Sequence, residues 1–174
     1  ARIGLVVPDY VQVSTIPELD EHATLFEGAI TGIDSGAGIM EATREAIDRY
    51  GLDMRLLASS GAAMTASLRD AVQAEQPIVV TGWKPHWMFA RWQLKFLEDP
   101  KTVYGEEENI HTIARLGASR EFPEVVSFFK AFYLSDQQIG TLMDAMNRSS
   151  TEEATARKWM TAHENLVESW LDGN

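Results

Sequence analysis

Apolar and polar positions alternate in two different rhythms along the first half of the chain. Short runs rich in branched residues predict four strands, at Ile3–Val7, Ala29–Asp34, Met54–Ala58 and Pro77–Val80. Between them, residues 36–50 and 60–74 repeat apolar positions every three or four residues, which predicts two helices that each bury one face. This strand–helix alternation predicts an α/β fold with a layered, mostly parallel sheet and flanking helices.

The second half of the chain follows a different pattern. Residues 95–109 are charged and predict a surface loop, and the apolar alternation at 110–116 predicts one more short strand. From residue 123 onward the period is helical, so we expect 123–174 to be the helical part of a single α/β domain covering 1–174.

Two residue pairs in that helical part have the spacing of a capping box. They are Ser135 with Gln138 and Ser150 with Glu153. In such a pair the first side chain binds the helix's third amide, and the second side chain reaches back to the cap. We therefore expect one helix to begin after each serine.

Composition narrows the class of partner. The net charge of −11 argues against nucleic acid or an anionic membrane surface, because like charges repel. Cysteine is absent, which excludes disulfides and thiolate metal sites. The four histidines lack zinc-ligand spacing, so we expect neither a metal nor a cofactor. The chain opens on an apolar strand without a start Met, and we expect it to be a piece of a longer protein.

The segment after the fourth strand holds three of the five tryptophans of the chain. Small ligands bind at the carboxyl ends of strands in open α/β sheets, and an indole ring there can present its face to a cation. Trp83 comes first after the strand and is the candidate for that role, with Trp87 and Trp92 as support. Trp159 and Trp170 fall on an apolar stripe of a predicted helix and are expected to be core.

A glycine-rich turn joins the second strand to the first long helix, within Gly32–Met40. The first amides of a helix form an anion site, and glycines let a ligand approach the backbone closely. The pair Gly36 and Gly38 is half of a dinucleotide fingerprint, but the position of the third glycine is Glu41. A small carboxylate at the amides of Gly38 and Ile39 suits the turn better than a pyrophosphate does, and a plain strand-to-helix turn is the alternative.

Together, the two strand ends predict an amide-lined anion pocket and an aromatic surface for a cation, which a zwitterion with a quaternary ammonium satisfies. The motifs of common catalytic sites are missing from the sequence, and we expect a binding protein rather than an enzyme. Two alternatives remain at this point: an α/β enzyme that uses Ser60 or Asp34 at a strand end, and a domain that kept the fold but lost its ligand.

The same segments resemble the OpuAC-type glycine betaine-binding proteins of ABC osmoprotectant importers. The resemblance rests on Gly32–Met40, Ser59–Leu68 and Pro77–Phe89, and it continues through Leu97–Lys101, Tyr104–Gly105 and Ile110–Ile113. The run Gly-Trp-x-Pro-His-Trp-Met-Phe is highly specific, and the similarity spans essentially the whole chain.

The resemblance implies one lobe of a two-lobed periplasmic-binding-protein-like fold, in which residues 1–10 form the crossover strand from the missing lobe. It implies that the amides of Gly38 and Ile39 hold the carboxylate of glycine betaine or proline betaine. Trp83 would then be one wall of the aromatic cage, with His86 and Trp87 as support.

It also implies an ABC permease as partner and a location in the periplasm or on the outer face of the membrane, with the protein free, lipid-anchored or fused to its permease. A choline- or carnitine-type receptor is the alternative ligand class. Because the remaining cage residues belong to the other lobe, we expect the isolated chain to bind betaine feebly and to be prone to self-association.

Overall fold

The computed structural model describes residues 1–171, which divide into two compact units. The first unit consists of Ala1–Lys84 and Arg91–Glu108, and the second of Pro85–Ala90 and the chain from Asn109 onward. Residues 172–174, the end of the predicted helical segment, lie outside the described residues.

The first unit is built around a five-stranded sheet. Its strands are β1 (Arg2–Pro8), β2 (Ala29–Thr31), β3 (Arg55–Leu57), β4 (Val80–Lys84) and β5 (Leu94–Phe96). Its helices are α1 (Glu18–Glu21), α2 (Gly38–Tyr50) and α3 (Gly61–Gln73), with a 3-10 turn over Ala23–Phe26. Both long helices were predicted from their apolar period, and each begins one or two residues later than the pattern indicated.

The strand order is β3-β2-β4-β1-β5. Strand β2 pairs in parallel with β3 and β4, whereas β1 lies antiparallel between β4 and β5. The α/β architecture is confirmed, but the sheet is mixed rather than mostly parallel in its pairings. A run of apolar residues predicts a strand but not its direction, so the antiparallel orientation of β1 could not be predicted from the sequence.

Two of the predicted strands differ from the structure. The fourth strand was expected at 77–80, but β4 begins at Val80 and includes Trp83. Within the described residues 1–171 no strand forms at 110–116, where Ile113 is 93% and Leu116 100% exposed. Apolar alternation predicts a strand only where a partner strand and a core are within reach.

The largest apolar cluster of the first unit covers one face of the sheet, and alternate strand residues build it. Leu5 and Val7 of β1 belong to this cluster together with Ile30 of β2 and Ile39 of α2, while Val6 is buried outside it. That division follows from the pleat, since successive strand residues face opposite sides. The start of α2 is therefore fixed against the sheet by a buried side chain.

The second unit is helical, as predicted for residues 123 onward. The helices in chain order are α4 (Met88–Arg91), which bridges the unit boundary in sequence, α5 (Ala118–Glu121), α6 (Pro123–Ala131), α7 (Asp136–Asn147), α8 (Glu152–Ala162) and α9 (Glu164–Leu171). Trp170 is buried, with its ring 4.7 Å from that of Phe132, so its core assignment is confirmed. Trp159 stacks on His163 at 4.0 Å. Among the helices of residues 1–171, none combines the length and hydropathy needed to cross a membrane.

One of the two capping boxes is present. Ser135 accepts from the amide of Gln138, and the Gln138 side chain accepts from the amide of Ser135 in return. A helix also begins near Ser150, but the second capping box does not form, because α8 takes Thr151 as its N-cap. Glu153 is then the second helical residue, one position too early to close a box with Thr151.

Candidate ligand-binding site

The carboxyl ends of three parallel strands define one edge of the sheet. Thr31 of β2 pairs with Leu57 of β3 and with Val80 of β4, so β2 and β3 end level with the start of β4. Strand β4 continues to Lys84, and this extension is paired with β1, placing Trp83 opposite Ile3. The candidate aromatic residue thus lies beyond the ends of β2 and β3 on a hydrogen-bonded strand.

The glycine-rich loop after β2 is tied to the loop after β3. The amide of Gly32 donates to the carbonyl of Leu57 at 2.8 Å. The Ser59 hydroxyl donates to the carbonyl of Gly32 at 2.6 Å, and the Ser59 amide donates to that of Ile33 at 3.0 Å. In the sequence, Ser59 stood out only as the start of a stretch that carries the family resemblance, but its contacts make it the link between two loops of the candidate site.

Residues of α2 hold the same loop from the other side. The Arg44 guanidinium donates to the carbonyl of Ser35 at 2.9 Å, and the Ile33 amide lies 3.2 Å from the sulfur of Met40. A Cβ at Gly32 would overlap that sulfur, so any larger residue at this position requires the Met40 side chain to shift. The loop is therefore anchored at Gly32, Ile33 and Ser35 before α2 begins.

The first turn of α2 presents backbone amides to its surroundings. Its N-cap is Ala37, in extended conformation, whose methyl side chain cannot accept an N–H. Gly38 is exposed, and the Ile39 side chain is buried in the apolar cluster. Since the first amides of a helix have no partner within the helix, this turn offers N–H donors at the positive end of the helix dipole.

Trp83 is half-buried and packs against the apolar cluster to which Ile39 belongs. Its neighbour Gly82 pairs with Gly4 of β1. A Cβ added at Gly4 would lie 3.1 Å from the ring of Phe96. Both the ring and its backbone are thus held by packing and by the strand ladder. The exposure that the sequence suggested for this residue is only partial.

His86 and Trp87 belong to the second unit. His86 is 8% exposed, its Nδ1 accepts from the Met88 amide at 3.2 Å, and its ring centroid lies 5.1 Å from that of Trp87. Burial lowers the pKa of His86 to about 4, so the imidazole is neutral at pH 7. With Nδ1 as acceptor, the ring proton resides on Nε2.

Residues that no sequence pattern singled out lie behind the first turn of α2. Tyr104 is buried, and its hydroxyl donates to Oγ1 of Thr43 at 3.0 Å. Thr43 in turn donates to the carbonyl of Ile39 at 2.7 Å. The Tyr104–Gly105 pair contributed to the family resemblance, but only the fold reveals what the tyrosine touches.

Of the two residues considered for catalysis, Ser60 has a structural role through its side chain and Asp34 through its backbone. The Ser60 hydroxyl accepts from the Ala63 amide at 3.1 Å and caps α3. Asp34 is exposed, and its carbonyl accepts from the Ala37 amide in the turn before α2. Within residues 1–171, no cluster of three or more histidine and carboxylate side chains is placed to hold a metal ion.

Comparison with known proteins gives concordant results. The family model described as the substrate binding domain of an ABC-type glycine betaine transport system matches residues 1–162. A glycine betaine/carnitine transport binding protein of Listeria monocytogenes, GbuC, is 46% identical over 147 residues, which are 83% of this chain and 49% of that protein. The chain thus spans about half the length of this relative.

Solved structures agree. Lactococcal OpuAC, in a closed conformation with glycine betaine, matches with a TM-score of 0.79 and 37% identity over 98% of this chain and 66% of that one. A glycine betaine/L-proline-binding protein of Borrelia burgdorferi matches with a TM-score of 0.77 and 37% identity over 97% of this chain and 65% of that one. A choline-binding protein in complex with choline, at 24% identity and a TM-score of 0.74, shares the fold.

Proposed function

This chain belongs to the OpuAC family of substrate-binding domains of ABC-type glycine betaine transport systems, and from that premise we propose that it supplies about half of a receptor site for glycine betaine or proline betaine. The complete receptor would close on the zwitterion and deliver it to an ABC permease for osmoprotectant uptake. It would act as a binding protein rather than an enzyme, in the periplasm or on the outer face of the membrane.

One observation carries the proposal. The same unit holds an α2 start without a side-chain cap and Trp83 on the strand that extends past its parallel neighbours. Amides at a helix start attract a carboxylate, and the face of an indole attracts a quaternary ammonium. We assign the carboxylate to Gly38 and Ile39 and one wall of the cation cage to Trp83, with His86 and Trp87 as support.

The energetics explain why this would be half a site. A cation on one indole face contributes about 0.5–2 kcal/mol, and each charge-assisted amide bond contributes about 1.5–3 kcal/mol. Association opposes them with a loss of translational and rotational freedom of about 4–15 kcal/mol. The net favourable free energy of binding is then at most about 4 kcal/mol, which corresponds to a millimolar dissociation constant.

Carnitine is the second candidate ligand, because the Listeria relative is a glycine betaine/carnitine transport binding protein. Carnitine also carries a carboxylate and a quaternary ammonium, so both proposed contacts are available to it. Choline has no carboxylate for the first turn of α2 and should bind more weakly than either zwitterion.

The test is a calorimetric titration with glycine betaine, carnitine and choline. It is run on this chain and on a longer chain that carries both halves of the family length. We expect micromolar betaine binding only in the longer chain. Betaine binding in neither chain, or choline binding as tight as betaine, would overturn the ligand assignment.

Trp83 supplies the matched variants for the same titration. Trp83→Ala should abolish binding in the longer chain, whereas Trp83→Phe should retain part of it because an aromatic face remains. Calorimetry is needed here because Trp83 is itself a fluorescence reporter. Sedimentation of the isolated chain over a range of concentrations tests the self-association that a lone half-site is expected to show.

A further inference from the structure

We infer that Tyr104 is a positioning residue for the anion-binding turn of α2, which it holds in place through Thr43. The inference rests on the proposed function, since it concerns how the turn assigned to the ligand carboxylate is kept in shape.

The first step is a relay of two hydrogen bonds behind the turn. The Tyr104 hydroxyl donates to Oγ1 of Thr43 at 3.0 Å, and Thr43 donates to the carbonyl of Ile39 at 2.7 Å. Tyr104 and Thr43 are both buried, so water does not compete for these bonds. Burial also raises the pKa of Tyr104, which keeps the hydroxyl protonated as a donor.

The second step is that this turn needs support from outside its own sequence. Gly36 and Gly38 lie in open space, where an added Cβ would meet nothing within 4 Å. Glycine gains much backbone freedom in the unfolded chain, and the cap residue Ala37 contributes no side-chain bond to the turn. Holding the Ile39 carbonyl restrains the peptide that follows the two assigned amides.

The third step is that Tyr104 is itself fixed by hydrogen bonds within a segment that also binds the last residue of α2. Asp99 accepts from the Tyr104 amide at 2.9 Å and from the Tyr50 hydroxyl at 2.5 Å. Tyr50 is the last residue of α2, and its hydroxyl also accepts from the Lys101 amide at 2.6 Å. The segment Asp99–Tyr104 therefore binds α2 at Thr43 and at its last residue, Tyr50.

Tyr104 and Tyr10 provide a matched pair of variants. Tyr104→Phe removes the hydroxyl that donates to Thr43, and Tyr10→Phe removes one that donates to the carbonyl of Gln76 at 2.8 Å, outside the relay. In the ligand-free chain, Tyr104→Phe should shift the amide resonances of Gly38 and Ile39, and Tyr10→Phe should leave them in place. In the longer chain, Tyr104→Phe should weaken betaine binding about three- to tenfold, and Tyr10→Phe should change it by less than about twofold.

Thr43 tests the relay independently of the aromatic ring. Thr43→Val should reproduce the resonance shifts and the loss of affinity, and Thr43→Ser should restore both because it keeps the hydroxyl. In a double-mutant cycle, Tyr104→Phe and Thr43→Val should be non-additive, as expected for two residues acting through one path.

The outcomes separate this inference from the proposed function. If the parent chain binds no betaine, the ligand assignment fails, while the resonances of the ligand-free chain still report on the relay. Unchanged Gly38 and Ile39 resonances in both Tyr104→Phe and Thr43→Val would overturn the positioning role. An equal loss of affinity in Tyr10→Phe would overturn it too, because it would indicate a general effect on stability.

Discussion

Two helices of the first unit begin at the same edge of the same sheet, yet their starts are built in opposite ways. Helix α3 follows β3 through Ser59 and Ser60, and the Ser60 hydroxyl caps its first turn. Helix α2 follows β2 through a glycine-rich loop and has Ala37 at the capping position. One start is completed by its own side chain, and the other keeps its donors available.

If the first turn of α2 is the proposed anion site, the difference shows where this unit gives up local stability for a binding surface. A capping side chain contributes about 1 kcal/mol, and α2 forgoes it. The loop before α2 is instead anchored by its neighbours, through Ser59, Arg44 and Met40. Support thus comes from behind the turn, and the front of the turn stays open to an anion.

A proline at the first position of α2 should have the largest effect on ligand binding. Gly38→Pro removes one proposed donor while keeping the helix, since proline is favoured at that position and Ala37 is already extended. We expect betaine affinity of the longer chain to fall by about tenfold or more, as for the loss of a charge-assisted bond. Calorimetric titration measures it.

The control is the equivalent change in the capped helix. Gly61→Pro at the first position of α3 should leave betaine affinity unaltered, and Gly38→Ala, which keeps the amide, should bind nearly as the parent does. If Gly38→Pro bound betaine as tightly as Gly38→Ala, the amide of residue 38 would have no part in the site.

A methyl group inside the anchored loop should mainly affect stability. Gly32→Ala places a Cβ 2.3 Å from the buried sulfur of Met40, so the free energy of unfolding should fall by about 1–3 kcal/mol through overpacking. Gly36→Ala meets nothing within 4 Å and should be neutral. Urea denaturation distinguishes the two, and equal stabilities would mean that Met40 moves aside without cost.

Exchanging the N-cap residues of α2 and α3 should have the smallest effect on stability and affinity. Ala37→Ser should raise the free energy of unfolding by about 0.5–1 kcal/mol and weaken betaine binding a few-fold, because the new hydroxyl competes for the same amides. Ser60→Ala should do the reverse at α3, with a loss of about 1 kcal/mol and no change in affinity. If Ala37→Ser stabilised the protein without lowering its affinity for betaine, the ligand carboxylate would not be bound at this turn.

Much of this unit could be predicted because its elements follow local rules. The apolar period located α2 and α3, and the spacing of Ser135 and Gln138 located the start of α7. Strand direction and exact strand limits depend on partners distant in sequence, so the antiparallel β1 and the position of β4 were not accessible.

The candidate site divides in the same way. Gly38 and Trp83 could be predicted from their local sequence. Gly38 lies in a glycine-rich turn, and Trp83 lies between a glycine and a nearby proline. Tyr104 and Thr43 are 61 positions apart and carry no motif that links them, so only the fold brings them together. Residues that would touch a ligand were visible in the sequence, whereas residues that hold those residues in place were not.

The pairing of Trp83 with Ile3 has a consequence for selectivity. A ring mounted on a ladder of two strands is a preorganised template, so a ligand that stacks on it loses no affinity to ordering of a loop. The same rigidity prevents the ring from following the outline of a bulkier cation. If Trp83 is the proposed cage wall, discrimination among ammonium headgroups of different size depends on the surfaces that close around it, because Trp83 itself does not adjust its position.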